Sequence, residues 1–231
     1  MTLTSARGPL GPDPAGRFSP PIAPGTVLVE PHARRVQALV GERTVIDTEA
    51  AWMVHRPQHP PSYAFPVEVV GDLPWDAVPE APGYVQVPWD AVDAWIEEGR
   101  RLVHYPPNPY HRIDCRPTQR RLHVEVAGTT LVDTDDTIIV FETALAPKLY
   151  APPSAVRTDL LERSDTTTYC NYKGEATYWC ARVDGTVITD VAWSYEDVFP
   201  ESLPIKGWFG FEPAHATVTA ELPSASSPDR R

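Results

Sequence analysis

A mainly β chain, built as two tandem small β domains with one amphipathic helix at about 88–103, is the fold class this sequence predicts. Three observations carry that reading. Apolar residues alternate along short runs, and those runs recur in the same order in the second half of the chain. In addition, 27 prolines against 13 glycines interrupt long helices and favour short strands joined by rigid turns. Hydrophobic residues at 42%, with 10% aromatics, are enough for a packed core.

Residues 1–26 read as an N-terminal extension rich in Gly, Pro and Thr, without the apolar run of a secretory signal. The first domain, 27–104, opens on Arg35-Val36-Gln37-Ala38-Leu39-Val40, whose alternation marks a strand. In the second domain, 119–220, Arg121-Leu122-His123-Val124-Glu125-Val126 alternates in the same way. The match runs without a gap through Val45-Ile46-Asp47-Thr48 against Leu131-Val132-Asp133-Thr134, then Trp52-Met53-Val54 against Ile138-Ile139-Val140. One inserted residue then brings Tyr63-Ala64-Phe65-Pro66 onto Tyr150-Ala151-Pro152-Pro153.

Beyond that point the copies diverge. The first enters an acidic, proline-rich loop from Gly71 to Gly83. Only the second carries the run Thr166 to Gly174 and the β-rich segments flanking Asp184-Gly185, a tight-hairpin signal. The first copy is therefore read as degenerate and the second as complete. Pro88 to Val103 places Trp89, Val92, Ile96, Gly99 and Val103 on one helical face, widened by Trp95 and Leu102. Asp90 and Asp93 precede Arg100 and Arg101, as the helix dipole favours. A linker at 105–118 and a disordered tail at 221–231 complete the order.

A formal charge of -11, from 31 acidic and 20 basic residues, opposes binding to nucleic-acid phosphates and anionic membranes. No run approaches the roughly 18 apolar residues of a membrane span, so a cytoplasmic location is expected. Cys115, Cys170 and Cys180 contain no C-x-x-C pair and are expected as free thiols, with neither metal nor cofactor.

Phe141-Glu142-Thr143, Val156-Arg157-Thr158-Asp159-Leu160-Leu161, Ser164-Asp165-Thr166-Thr167, Cys170 with Tyr172-Lys173-Gly174, Tyr178-Trp179 and Ala192-Trp193-Ser194-Tyr195 share a family's order and spacing. They resemble the family catalogued as domain of unknown function 427, also filed as nucleotidyltransferase-like (NTP_transf_9). Pro88 to Asp93 and Asn108 to Arg112 resemble its longer, tandem members. The resemblance implies a β-tent fold, as in methionine sulfoxide reductase B and the thalidomide-binding domain of cereblon. Relatives with that fold commonly hold zinc through paired C-x-x-C motifs, which this chain lacks, so neither that metal nor the reductase's catalytic thiol carries over.

Tyr169, Tyr172, Tyr178, Trp179, Trp193 and Tyr195 either pack the core, the reading that aromatics in a β domain favour, or wall a pocket for a flat or cationic ligand. Lys173 either binds an anion or acts as nucleophile or base, or it decorates a turn permitted by Gly174. Cys170 is read as an inert thiol unless Lys173 lowers its pKa. Glu142 stands where the first copy has Arg56, and is either a general base or, as favoured, one half of an ion pair with Arg157. Asp133-Thr134-Asp135-Asp136 imitates metal-binding carboxylates but reads better as a solvated turn. Within the linker, His111 is the candidate for chemistry and an interdomain salt-bridged segment is the alternative. Triad, P-loop and dinucleotide motifs are absent.

Together these residues predict a small-molecule-binding protein or enzyme with its pocket in the second domain and a ligand of unknown identity. The alternatives are a noncatalytic interaction module and a nucleotidyltransferase-like enzyme, the latter needing carboxylates that converge on magnesium.

Overall fold

The computed structural model describes residue 23 and residues 25–223, so most of the 1–26 extension and of the 221–231 tail falls outside the described residues. The chain divides into two compact units, the first ending at His111 and the second beginning at Arg112. Both are mainly β.

The first unit contains β1 (Leu28–Pro31), β2 (Val36–Val40), β3 (Arg43–Thr48), β4 (Trp52–His55), β5 (Ser62–Pro66), β6 (Asp76–Ala77), β7 (Tyr84–Gln86), β8 (Ala94–Glu97) and β9 (Arg100–Arg101). They form two sheets, ordered β1-β4-β5-β7-β6 and β3-β2-β8-β9. Val36, Ala38, Ile46, Met53, Phe65 and Trp95 form one buried cluster, and alternation along each strand puts them on the same side.

The second unit contains β10 (Ile113–Thr118), β11 (Leu122–Val126), β12 (Thr129–Thr134), β13 (Thr137–Glu142), β14 (Lys148–Tyr150), β15 (Leu161–Cys170), β16 (Gly174–Val183), β17 (Thr186–Val198), β18 (Phe209–Phe211) and β19 (Thr217–Ala220). Its sheets are ordered β10-β13-β14, β12-β11-β19 and β15-β16-β17-β18, and an antiparallel bridge between Ala151 and Phe209 links the first to the third. Thus β10 occupies the last six residues of the segment expected as linker, 105–118. Asp184 and Gly185 both have positive φ, 48° and 78°, and close the β16–β17 hairpin where the sequence places it.

The two units share pairing register. β2 and β3 pair Val36 with Thr48 and shift between Ala38 and Leu39; β11 and β12 pair Leu122 with Thr134 and shift between Val124 and Glu125. β4 and β5 pair Trp52 with Ala64 and Met53 with Tyr63; β13 and β14 pair Ile138 with Tyr150 and Ile139 with Leu149. Pro31 of edge strand β1 lies opposite Trp52, and Pro117 of edge strand β10 opposite Ile138. Each β-hairpin also carries a bidentate clamp, Arg35 on Asp47 and Arg121 on Asp133. The ladders contain no inserted residue: Tyr150 stands where the first unit has Ala64, not Tyr63. The aromatic-to-proline likeness suggested the insertion, whereas hydrogen-bond register excludes it.

The helix expected over 88–103 is not formed. After Pro88, Trp89–Ala91 make a single 3-10 turn, and the chain continues as β8 and β9. Glu98 and Gly99, with φ of 48° and 78°, close that hairpin. The segment held both periods: its 3.6-residue stripe coexists with alternate burial at Trp95 and Glu97. Pairing of β8 with β2, Trp95 opposite Ala38, decides for the strand.

Burial of Glu97, 6% exposed, follows from that alternation. Its carboxylate accepts from Arg34 Nη1 at 2.6 Å and Tyr63 OH at 2.5 Å, and lies 2.7 Å from His32 Nε2. Burial pushes the carboxyl up, but the hydrogen bonds from His32, Tyr63 and Arg34 together outweigh it and hold the group at about 2. A depressed carboxyl contributes stability that is fully present above its ordinary value of 4.5 and is lost as pH falls through about 2. Urea unfolding at a series of pH values is expected to show the parent losing about 3 kcal/mol more than Glu97→Gln across that window.

Candidate functional site

A cavity of about 180 Å³ opens in the second unit beside β13–β14 and β16–β17. Strand alternation builds it. Tyr178, Trp193 and Tyr195 leave one face of the β16–β17 hairpin, whereas Trp179 and Ala192 leave the other and join the main core with Phe209. Trp193 donates from Nε1 to Tyr150 OH at 3.1 Å, and the two rings meet edge to face. A side chain on Gly210 would come within 2.6 Å of the Trp193 indole, so the indole packs directly against the β18 backbone there.

Lys173 enters from the β15–β16 turn. Gly174 has φ of +111°, and a Cβ there would collide with the Asp197 carbonyl oxygen; the turn therefore requires glycine. It leaves Lys173 7% exposed, with its ammonium donating to Glu142 Oε2 at the end of β13. Lys173 Nζ also lies 5.9 Å from the Tyr195 ring centroid, and Lys148 Nζ lies 4.6 Å from that of Trp193. Burial raises the Tyr150 and Tyr195 hydroxyls above the ordinary tyrosine value, so both stay protonated and serve as neutral hydrogen-bonding groups. Burial, with Asp114 nearby, pushes the Cys115 thiol up to about 11, which keeps it unreactive at neutral pH.

Of the residues singled out in the sequence, Glu142, Lys173, Tyr178, Trp193 and Tyr195 come together at this cavity. Gly174 supports it through the backbone. The others stand apart from its lining. Trp179 donates from Nε1 to Ser194 Oγ at 3.0 Å and packs on Phe209. Tyr169 meets Phe199 edge-on, and Cys170 and Tyr172 are half-buried against the aromatic cluster beneath the cavity. Arg157 forms a bidentate pair with Asp159, so the ion pair expected between Arg157 and Glu142 is replaced by Lys173–Glu142. His111 belongs to the first unit and is buried there. Asp133 is clamped by Arg121 on an exposed hairpin.

Tyr150, Lys148 and Glu212 also line the cavity without having been singled out. Tyr150 was visible only as part of the repeat. Lys148 and Glu212 carry no local motif, and only the tertiary fold brings them in.

The fold and cavity thus define an all-β chain whose second unit holds a small, internally charge-balanced site. Residues 114–222, nearly all of that unit, match the family model NTP_transf_9, described as a domain of unknown function (DUF427), which supports the family that the motifs resemble. No curated protein matches the chain. Among the described residues no helix is long and apolar enough to cross a membrane.

Burial changes what a lysine substitution does. As a surface residue Lys173 would cost under roughly 0.5 kcal/mol on truncation, but here its loss takes the ammonium away from the part-buried Glu142 carboxylate. Lys173→Ala is expected to destabilise by about 1–3 kcal/mol, and the double variant Lys173→Met with Glu142→Gln to recover most of it. Urea unfolding of the four proteins in a double-mutant cycle measures this; strictly additive costs would show that the pair is not coupled.

Proposed function

We propose that the second unit is a small-molecule-binding domain whose cavity takes a compact polar ligand with an anionic or carbonyl oxygen. The observation that carries this is convergence: Glu142, Lys173, Trp193 and Tyr195, from three separate parts of the sequence, face one concavity. At about 180 Å³ it lies below the roughly 300 Å³ lower bound for drug-sized ligands, which favours a molecule of few heavy atoms. Lys173 supplies the donor for the oxygen, and the aromatic rings supply a flat wall. The same pair supports an enzymatic version, in which a proton passes between the ligand and Lys173 or Glu142.

The matching registers and the paired Arg–Asp clamps favour two tandem copies, the first degenerate, with the β-tent architecture that the family resemblance implies. Acidic charge favours a protein that binds neither nucleic acid nor anionic membrane. The interaction-module reading draws on Phe141 and Leu145, which are 41% and 50% exposed beside the cavity. Nucleotidyl transfer draws least support: Asp133 is occupied by Arg121, and among the described residues no three His, Cys, Asp or Glu side chains cluster to hold a metal.

A panel of small carboxylates and 2-oxo acids, screened by saturation-transfer NMR against the full chain, tests the reading. A binder is expected, and the stable double variant Lys173→Met with Glu142→Gln is expected to weaken it by about tenfold or more. Binding unchanged in that variant would move the site elsewhere, and no binder across the panel would favour the interaction module.

A further inference from the structure

We propose that the cavity of the second unit takes a small zwitterionic amino acid, with its carboxylate on Lys148 and its ammonium on Glu212. The inference rests on the reading of that cavity as a small-molecule site and adds the charge pattern of the ligand. Four charged side chains line the cavity: Glu142, Lys148, Lys173 and Glu212. Two of them neutralise one another, since the Lys173 ammonium donates to the Glu142 carboxylate. Lys173 keeps further N–H donors for a ligand oxygen, but its charge is already matched. Among the described residues Lys148 and Glu212 form no ion pair, either with each other or with another side chain.

Strand alternation brings these two charges to one wall. Lys148 and Tyr150 stand two residues apart on β14 and leave the same face, and Tyr150 OH accepts from Trp193 Nε1 at 3.1 Å. Gly210 stands opposite Trp193, and Glu212, two residues on, continues that ladder, its N–H donating to the Val191 carbonyl at 2.9 Å. Lys148, Trp193 and Glu212 thus present to the same cavity. Lys148 Nζ rests over the Trp193 ring, 4.6 Å from its centroid. Glu212 Oε1 accepts from the Ala214 N–H at 3.2 Å, which orients the carboxylate and leaves Oε2 without a donor among the described residues.

Charge complementarity then selects the ligand. A plain carboxylate satisfies Lys148 but meets Glu212 as a like charge, and a plain amine does the reverse. An amino acid carries one charge of each sign and satisfies both. Because Trp193 Nε1 is taken by Tyr150, the indole offers the ligand its apolar ring, which suits a short carbon chain between the two charged ends. A cavity of about 180 Å³ keeps that chain to few heavy atoms.

The probes are L-alanine and β-alanine, with propionate and ethylammonium as their singly charged fragments, each titrated into the full chain and followed by saturation-transfer NMR. At least one amino acid is expected to saturate with a Kd below about 10 mM and to bind about tenfold tighter than either fragment. Lys148→Met and Glu212→Gln are each expected to remove that preference, the first lowering the amino acid to the level of ethylammonium and the second to that of propionate. Lys148→Arg is expected to retain part of the affinity. Circular-dichroism melts check that each variant folds, and the fragment comparison on the parent carries the test if one does not. An amino acid bound no more tightly than propionate overturns the zwitterion and leaves the carboxylate reading of the cavity standing. A preference that survives Lys148→Met and Glu212→Gln but is lost in Lys173→Met with Glu142→Gln overturns the assignment of the two charges. Saturation by neither amino acid overturns the proposal, and the carboxylate panel then decides separately whether the reading beneath it falls as well.

Discussion

Successive side chains leave opposite faces of a strand, and in β16 and β17 both faces carry large aromatics. Trp179 and Ala192 go to the main core, while Tyr178, Trp193 and Tyr195 go to the other side and form a second cluster there, with Tyr178 only partly covered. Register therefore decides what is core and what is cavity. A slip of one residue would exchange Trp179 for Tyr178 and Ser194 for Trp193, and the indole would then lose both Tyr150 and its close contact with Gly210. The short hairpin at Asp184-Gly185 and the obligatory glycine at 174 hold that register from opposite ends of β16.

Once register is set, electrostatics defines the second unit's cavity. A buried ammonium and carboxylate seldom stabilise a fold more than apolar side chains of the same shape would. The Lys173–Glu142 pair is accordingly better understood as holding two polar heads in one orientation at a concave surface than as a source of stability. The neighbouring tyrosines, kept protonated by burial, add polarity without adding charge. The first unit places Arg56 at the position of Glu142, so a single exchange reverses the sign at the same point in the ladder.

Much of the sheet framework was legible in the sequence because it rests on period-two alternation and on turn residues, both local. The strands beginning at Val36, Leu122 and Thr137 and the Asp184-Gly185 hairpin are examples. The segment 88–103 was not, because its apolar residues satisfy a helical stripe and an alternating pattern at once, and only the pairing of β8 with β2 chooses between them. For the site, Lys173, Glu142, Trp193 and Tyr195 were legible as chemistry, but which of them meet depends on strand faces. Trp179 and Trp193 look alike in sequence and end on opposite sides. Arg157 was paired with the wrong partner because Asp159, two residues on, is the nearer carboxylate in space. The Glu97 cluster draws His32, Arg34 and Tyr63 from distant positions, and no local pattern announces it.

Pro31 and Pro117 occupy corresponding places on the outermost strands of their sheets, and a proline there removes one donor from an otherwise open ladder. In a chain whose two halves use the same strand register, an open edge invites the wrong hairpin to dock, either within one molecule or between two. The prolines act against that exchange.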